Sequence, residues 1–243
     1  MMFGCPLAIR FQRANNLFMK PPTGSSAAHP HDQEPGIDGL RLLRRYHEAT
    51  IQHHERRAEV RFVIDAADGC MVLPAEPGMA AANELLVHLP DEVAQDLQLT
   101  VTPKVVDRPE GEEVVDRWHA YHSAAGTRPT SRVWLRCAID GAKRPFATGD
   151  VYEPETIMRP NALRKSEYQL VKRVNQDRAR LGRLCKWASR VDVADAICVG
   201  VDPFGFDVRA RFGIVRIEFD LEAATSEQAA RLIDAMLEKD GHA

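Results

Sequence analysis

The sequence predicts an α+β protein in which an antiparallel barrel or open sheet is joined to a small α+β module. Strand-like patterns follow one another closely between residues 58 and 139, with one helical stretch among them. Beyond a long helical stretch, three short alternating segments and a closing helix complete the C-terminal part of the chain. The regular alternation of strand and helix that marks a doubly wound parallel sheet is absent from the sequence.

Composition limits the classes of protein that fit. The chain has 243 residues, 44% of them hydrophobic, so it can bury one large core or two small ones. A net charge of -3 predicts no nucleic-acid partner, because non-specific binding to nucleic acid needs clustered Lys and Arg. No apolar run is long enough to cross a bilayer, so we expect no membrane partner. Five cysteines without a Cys-x-x-Cys pair predict buried free thiols and a cytoplasmic location.

Residues 1–40 are predicted to form a flexible N-terminal tail, because residues 21–36 are rich in turn formers and lack an apolar period. The segment from Met1 to Lys20 is basic and contains no acidic residue, a composition compatible with a targeting peptide. The alternative is that translation starts at Met19 rather than at Met1, in which case the preceding segment is not made.

The pattern in the first half of the chain predicts a helix followed by strands. Leu40 to Arg57 has helical spacing and predicts a helix that leads into the first strand. Asp68-Gly69 is a turn signal inside a predicted hairpin. Strands are predicted over 58–64, 70–73, 84–89 and 97–102.

Longer elements follow. A helix, a strand and a second, long helix are predicted over 114–125, 132–139 and about 161–190. The long helix would connect the two halves of the chain. A closing helix is predicted over 225–239, where Thr225 and Gln228 have the spacing of a capping box.

Alternation in the C-terminal segments predicts a sheet with one dry face and one solvated face. The apolar face holds Phe206, Val208, Ala210, Val215, Ile217 and Phe219. The opposite face holds Asp207, Arg209, Arg211, Arg216 and Glu218. Cross-strand ion pairs explain these charges, and an anion site formed by the three arginines is the alternative.

A first candidate site lies on the helix predicted over 114–125. His119 and His122 are three residues apart, so they share one helix face and can ligate a metal or a haem iron. A metal site needs a third ligand, which the sequence does not identify, so no metal site is assigned. The alternative is a packed amphipathic helix with hydrogen-bonded imidazoles.

The strand pattern Arg132-Val-Trp134-Leu-Arg136 is a second candidate site. Alternation places Arg132, Trp134 and Arg136 on one face of the strand. An arginine pair can hold a phosphate while an indole covers a planar ring, as a flavin or haem pocket requires. The alternative is a solvated strand face with one covering aromatic. The sequence contains no motif of nucleotide-binding folds, serine hydrolases or zinc peptidases.

Three runs stand out in the last third of the chain: Arg173-Val-Asn-Gln-Asp-Arg178, Gly200-Val-Asp-Pro-Phe-Gly-Phe-Asp207 and Arg216-Ile-Glu-Phe219. Together they resemble the C-terminal module appended to pyridoxamine-phosphate-oxidase-like split-barrel proteins. In that family the helical motif usually reads His-Met-Asn-x-Asp-His; here Asn175 and Asp177 are kept and arginines replace both histidines. Residues 58–150, with Asp116-Arg-Trp-x-x-Tyr-His122, are similar to the split barrel that precedes this module.

The resemblance implies an antiparallel split β-barrel followed by a helix and a small α/β sandwich-like module. The implied divisions are a tail over 1–40, a split-barrel-like domain over 41–155 and a C-terminal module over 156–243. It also implies a homodimer with a cofactor at the barrel interface. Asn175 and Asp177 are expected to cap or brace the neighbouring sheet.

Members of this family include flavin-dependent oxidoreductases and haem-binding or haem-degrading proteins. The first hypothesis is therefore a protein that binds flavin mononucleotide (FMN) or haem, as an oxidoreductase of unidentified substrate. The residues assigned to the cofactor are Arg132, Trp134, Arg136, His119 and His122. This chain lacks the Arg- and Lys-rich phosphate-contact strands of flavin-binding members. The alternative is therefore a cofactor-free relative that acts as a binding or dimerisation module, and no catalytic residue is assigned.

Overall fold

The computed structural model describes residues 35–91, 96–123, 132–145, 150–190, 192–193 and 195–239. Within these residues the protein is α+β, as predicted, with a curled antiparallel sheet of eight strands and a separate antiparallel sheet of three. The expectations for the N-terminal tail, a targeting peptide, the Met19 start and Cys5 lie outside the described residues.

The strands of the larger sheet are β1 (Glu48–His53), β2 (Arg56–Arg61), β3 (Val63–Ile64), β4 (Met71–Ala75), β5 (Leu85–Leu89), β6 (Leu97–Val105), β7 (Val133–Lys143) and β8 (Val151–Tyr152). Their order in the sheet is β2-β1-β5-β6-β7-β4-β3, and β8 pairs with β7. The smaller sheet contains β9 (Ile197–Asp202), β10 (Gly205–Ala210) and β11 (Gly213–Glu218), with β10 in the centre.

The helices in the described residues are α1 (Pro35–Arg45), α2 (Glu113–His122), α3 (Pro154–Ile157), α4 (Glu167–Val174), α5 (Arg178–Ser189) and α6 (Ser226–Lys239). Short 3-10 turns occupy Pro77–Met79 and Arg164–Ser166.

The larger sheet curls into a half-barrel around an apolar core, an arrangement that fits a split-barrel fold. Alternate residues of β7 face this core, and Leu135, Cys137 and Ile139 are at most 1% exposed. Leu43 of α1 packs into the same core. The opposite face of β7 therefore carries Trp134 and Arg136, as alternation predicted.

The helix predicted from Leu40 to Arg57 is wrong over its second half. α1 ends at Arg45, and β1 and β2 form an antiparallel hairpin in place of the remaining helix. In β1 the buried residues Ala49 and Ile51 are two apart, which is the period of a strand. A run this short fits both periods, so its pairing with distant strands decides its structure.

The single helix predicted over 161–190 is divided into α4 and α5. Between them, the Asn175 amide makes two hydrogen bonds of 2.9 Å with the backbone N–H and C=O of Cys198 in β9. Asp177 then caps α5 by accepting a hydrogen bond from the Arg180 N–H at 2.9 Å. The prediction that Asn175 braces the neighbouring sheet is confirmed, whereas Asp177 caps helix α5 instead of contacting the sheet.

Side chains from outside the smaller sheet bind the outer edge of β9. Besides Asn175, the Asn161 amide donates to the Val201 C=O at 2.8 Å. The Glu167 carboxylate accepts from the Val201 N–H at 3.1 Å. An open strand edge is a template for pairing with another chain, so these contacts protect β9 from such pairing.

Two apolar cores lie in the described residues, one inside the half-barrel and one between the smaller sheet and helices α4, α5 and α6. A third apolar cluster around α2 includes residues of both sheets. The division of the chain at residues 155 and 156 stays a prediction, because this third cluster connects the two units.

Several local predictions are confirmed. Thr225 and Gln228 form the capping box of α6, with reciprocal hydrogen bonds of 3.3 Å. The four cysteines in the described residues are buried and form no disulfide. In the same part of the chain, none of the helices is both long and apolar enough to cross a membrane.

Candidate functional site

α2 lies between the two sheets and covers the second candidate site. On one side its Trp118 packs on Trp134 of β7, with the rings edge to face at a centroid distance of 5.3 Å. On the other side, Val199 and Ile214 of the smaller sheet pack against the same apolar cluster. Trp134 is therefore only 9% exposed. This part of β7 is buried beneath the protein's own helix rather than solvated.

The two arginines on that face of β7 have different surroundings. Arg132 is exposed, immediately before the strand. Arg136 lies between two carboxylates, with Nη1 2.7 Å from Asp65 Oδ2 and Nη2 2.6 Å from Asp68 Oδ2. Burial by itself lowers the pKa of Arg136, but the two carboxylates outweigh burial and raise it. A ligand phosphate at Arg136 would compete with both carboxylates.

The two histidines of the first candidate site make local hydrogen bonds. His122 Nε2 lies 2.9 Å from the Phe62 C=O; because a carbonyl only accepts, Nε2 carries the proton. His119 Nδ1 lies 2.9 Å from Ser123 Oγ, and its ring is 5.6 Å from the Trp134 ring. These contacts match the alternative of a packed helix with hydrogen-bonded imidazoles. Where the chain is described, no group of three His, Cys, Asp or Glu residues is placed to hold a metal ion.

The five residues assigned to a cofactor are thus only partly brought together. His119 and Trp134 are in ring contact. Arg136 and His122 are held by other partners, and Arg132 is exposed. The assignment of these residues to a cofactor stays a prediction.

Burial of His122 makes stability depend on pH. Burial lowers the pKa of His122 to about 3, against an ordinary value of about 6.5. Because the folded state resists protonation, this contribution to stability is complete above about pH 6.5 and is lost as the pH falls toward about 3.

We therefore expect His122→Gln, which keeps a donor near Phe62 but binds no proton, to flatten the pH dependence of unfolding. The slope of the unfolding free energy should fall by up to about 1.4 kcal/mol per pH unit between about pH 6 and pH 4. Urea unfolding of both proteins across this range measures the two slopes. Equal slopes would contradict the assignment of His122 as a buried neutral imidazole.

The charged face of the smaller sheet is buried around Asp207 and Arg216, which corrects the prediction that the whole face is solvated. α2 and the segment between α1 and β1 contact it, so the Arg216 and Asp207 side chains are only 4% and 6% exposed. The groups at this junction form what we name the buried ionic cluster. Its members are Arg44, His47, Arg117, Tyr121, Glu167, Asp202, Asp207 and Arg216.

Asp207 is the centre of the buried ionic cluster. Tyr121 Oη donates to its Oδ2 at 2.9 Å, while His47 Nε2 and Arg216 Nη1 each lie 3.1 Å from its Oδ1. Burial by itself raises the pKa of Asp207, but His47, Arg216 and Tyr121 outweigh burial and hold it well below its usual range. Asp207 is therefore ionised in the folded protein.

The remaining contacts link three parts of the chain. Arg216 Nη2 lies 2.6 Å from Asp202 Oδ1 within the smaller sheet. Arg117 Nη2 of α2 lies 3.0 Å from Tyr121 Oη and 2.8 Å from Glu167 Oε1 of α4. In the whole cluster, three guanidinium groups lie near three carboxylates, and this charge balance offsets the free-energy cost of burying each charge alone. The groups are those of Arg44, Arg117 and Arg216, and of Glu167, Asp202 and Asp207.

The buried ionic cluster connects the smaller sheet to α2 and to the segment between α1 and β1. Burial raises the pKa of Tyr121 well above its usual value, so its hydroxyl stays protonated and donates to Asp207. Gly200 of β9 permits this contact, because a Cβ there would lie 1.9 Å from Tyr121 Oη. The residues that meet Asp207 are enclosed by protein, so they hold the sheets together rather than face a substrate.

Sequence reasoning found part of this cluster. The cross-strand ion pair between Asp207 and Arg216 is confirmed, since the two residues are direct register partners on β10 and β11. The alternative anion site is not formed: Arg209 donates to the Ala120 C=O at 2.5 Å, and the Arg211 side chain is 85% exposed. No sequence signal pointed to Arg44 or His47, because they come from the distant end of the chain.

Comparisons with known proteins support the fold. No protein-family profile matches the sequence, and curated proteins contain no significant match. A solved structure similar to this chain is the protein Atu2129, of unknown function, from Agrobacterium tumefaciens str. C58. It has a TM-score of 0.64 and 15% identity over 87% of this chain and 100% of that chain. A heme-binding protein from Mycobacterium smegmatis is similar at a TM-score of 0.40 and 15% identity, over 87% of this chain and 99% of that one.

The likeness to Atu2129 shows a shared fold, and at 15% identity it shows the fold alone. The likeness at a TM-score of 0.40 carries no argument. Together with the curled eight-stranded half-barrel, the first likeness defines this chain as an α+β protein with a split-barrel-like fold and a second, three-stranded sheet.

Proposed function

We propose that this chain is a divergent pyridoxamine-phosphate-oxidase-like split-barrel protein without a resident flavin or haem, acting as a binding or dimerisation module. The observation that supports this most is the packing of α2 on β7, which places Trp118 against Trp134 where a cofactor ring was expected. The buried ionic cluster then fastens α2 to the smaller sheet, so α2 is a fixed part of the core.

The described side chains do not fit a flavin or haem on this face. A planar ring needs a free indole face, but Trp134 is covered by Trp118. A phosphate needs guanidinium donors, but those of Arg136 already bind two carboxylates. A haem needs open space beside its axial imidazole, but the ring of Trp118 packs on that of His122 at a centroid distance of 5.0 Å.

A homodimer in the cytoplasm is part of the proposal. The dimer is supported by the family resemblance, and the compartment is supported by the buried free thiols. Burial raises the pKa of Cys137 to about 12, so its thiol stays protonated and unreactive. Such cysteines are structural in a reducing environment.

The proposal predicts a colourless protein. The ultraviolet–visible spectrum of tag-free protein should show no flavin or haem band before or after addition of FMN or haemin. The melting temperature should not change with FMN, haemin or pyridoxal phosphate, because a ligand bound only to the folded state raises it. Light scattering should report twice the mass of one chain. A cofactor spectrum or a rise in melting temperature would reject the proposal.

A cofactor-binding function is the second candidate, and one observation favours it. His119 is only half-buried and touches Trp134, and exposed Arg132 adjoins the same strand. If FMN or haemin does bind, the double variant Arg132→Ala with Arg136→Ala should lose the cofactor and keep the fold. Cofactor retention unchanged in that variant would show that the ligand binds elsewhere.

A further inference from the structure

A second place for a ligand lies at the end of the β1–β2 hairpin, away from α2. It is a cavity of about 270 Å³ between the hairpin and the 3-10 turn that follows β4. Its lining residues are His53, Arg56, Arg57, Ala58, Glu76 and Met79, with Gly78 at its edge. Pockets for drug-sized ligands hold about 300–1,000 Å³, so this cavity suits a smaller molecule.

The charges around this cavity favour an anion. Two guanidinium groups and one imidazole face a single carboxylate, that of Glu76. The exposed side chain of Arg56 makes no ion pair or hydrogen bond with any residue of the described ranges, Glu76 included. Its Nη1 lies 3.5 Å from the place a Cβ would take at Gly78, so the guanidinium lies over the backbone of the turn. An arginine with free donors at a cavity wall is the usual ligand of phosphate and carboxylate oxygens.

The turn of the hairpin lies beside the cavity. His54, the first of the two residues that connect β1 and β2, has a φ of 53°, as a two-residue hairpin turn requires. Its ring lies 4.3 Å from the ring of His53, which lines the cavity. The turn therefore fixes the position of the cavity wall that carries His53 and Arg56.

We propose that this cavity binds a small molecule through a phosphate or carboxylate group, with Arg56 as the principal contact. Arg57 adds a second positive charge, His53 adds an imidazole, and Met79 and Ala58 supply an apolar wall for the rest of the ligand. The site is separate from the α2 face, so it does not depend on whether a flavin or haem binds there.

Isothermal titration of the full-length protein at low ionic strength tests the site, with inorganic phosphate and acetate as separate probes. We expect saturable binding of at least one probe, and the stronger one identifies the oxyanion. Arg56→Ala should weaken it about tenfold or more, because a hydrogen bond to a charged group is lost. Arg211→Ala, whose side chain is 85% exposed on the smaller sheet, is the matched control and should bind as wild type does.

Two variants at Gly78 test the role of the Arg56 guanidinium while keeping Arg56 in place. A Cβ at Gly78 meets only Arg56 Nη1, at an ordinary contact distance of 3.5 Å, so substitutions there are tolerated. Gly78→Asp should place a carboxylate against the guanidinium and abolish probe binding, whereas Gly78→Ala should keep it. The proposal is overturned by an absence of saturable binding to wild type, or by equal binding of the wild-type, Arg56→Ala and Gly78→Asp proteins.

Discussion

Replacing Asp207 with alanine is expected to lower the free energy of unfolding by about 3–5 kcal/mol, the usual cost of breaking a buried ion pair. The variant leaves Arg216 with Asp202 alone and removes the carboxylate beside His47 and Tyr121. Each of these groups is enclosed, so water does not replace the lost partner. The midpoint and slope of urea unfolding give the measurement.

The control for Asp207→Ala is Glu48→Ala, which removes an exposed ion pair with Arg61 at 3.0 Å. Such surface pairs contribute about 0–1 kcal/mol, so the control should unfold near the wild-type midpoint. The pKa of Asp207 is depressed in the folded state, so its contribution is complete above about pH 4 and is lost as the pH falls further. If the two variants lose equal stability, the buried ionic cluster does not hold the sheets together.

Gly200→Ala is expected to have the second large effect, a loss of about 2–4 kcal/mol in the free energy of unfolding. The new Cβ would lie 1.9 Å from Tyr121 Oη and 2.8 Å from Arg117 Nη2, so both side chains must move. Moving Tyr121 breaks its hydrogen bond to Asp207. The physical cause is a steric clash that also leaves buried polar groups without partners.

A double-mutant cycle with Tyr121→Phe separates this clash from a general effect on β9. Tyr121→Phe removes the hydroxyl oxygen that the new Cβ would strike, so Gly200→Ala should cost less in that background, by at least about 1 kcal/mol. Gly141→Ala in β7 is the matched control, since a Cβ there meets no atom within 4 Å. Additive losses in the cycle would disprove the proposed contact between Gly200 and Tyr121.

The candidate site was predictable only in part. Alternation correctly placed Trp134 and Arg136 on one face of β7, opposite the half-barrel core. It could not show that α2 would cover this face, or that Asp68 would bind Arg136. The side chains of a strand face follow from local geometry, but the elements that cover it come from elsewhere in the chain.

The helices show the same limit. The segment over 161–190 has one apolar stripe, yet the chain leaves the helix at Asn175, which binds the edge of β9. Local periodicity contains no information about a strand edge that forms 23 residues later in the chain. Asn side chains compete for backbone hydrogen bonds, so the residue type of Asn175 is consistent with a break in the helix at this position. The residue type does not reveal that its partner is the edge of β9.

The α+β class, most strands, the capping box of α6, the buried thiols and the pairing of Asp207 with Arg216 could all be predicted from the sequence. These depend on short-range periodicity and residue chemistry. The burial of Asp207 and Arg216 on the charged face of the smaller sheet could not be predicted, because Tyr121 and Asp207 are 86 residues apart. Whether a polar face is buried depends on which distant element packs on it. Here α2 supplies a hydrogen-bond partner that offsets part of the free-energy cost of burying Asp207.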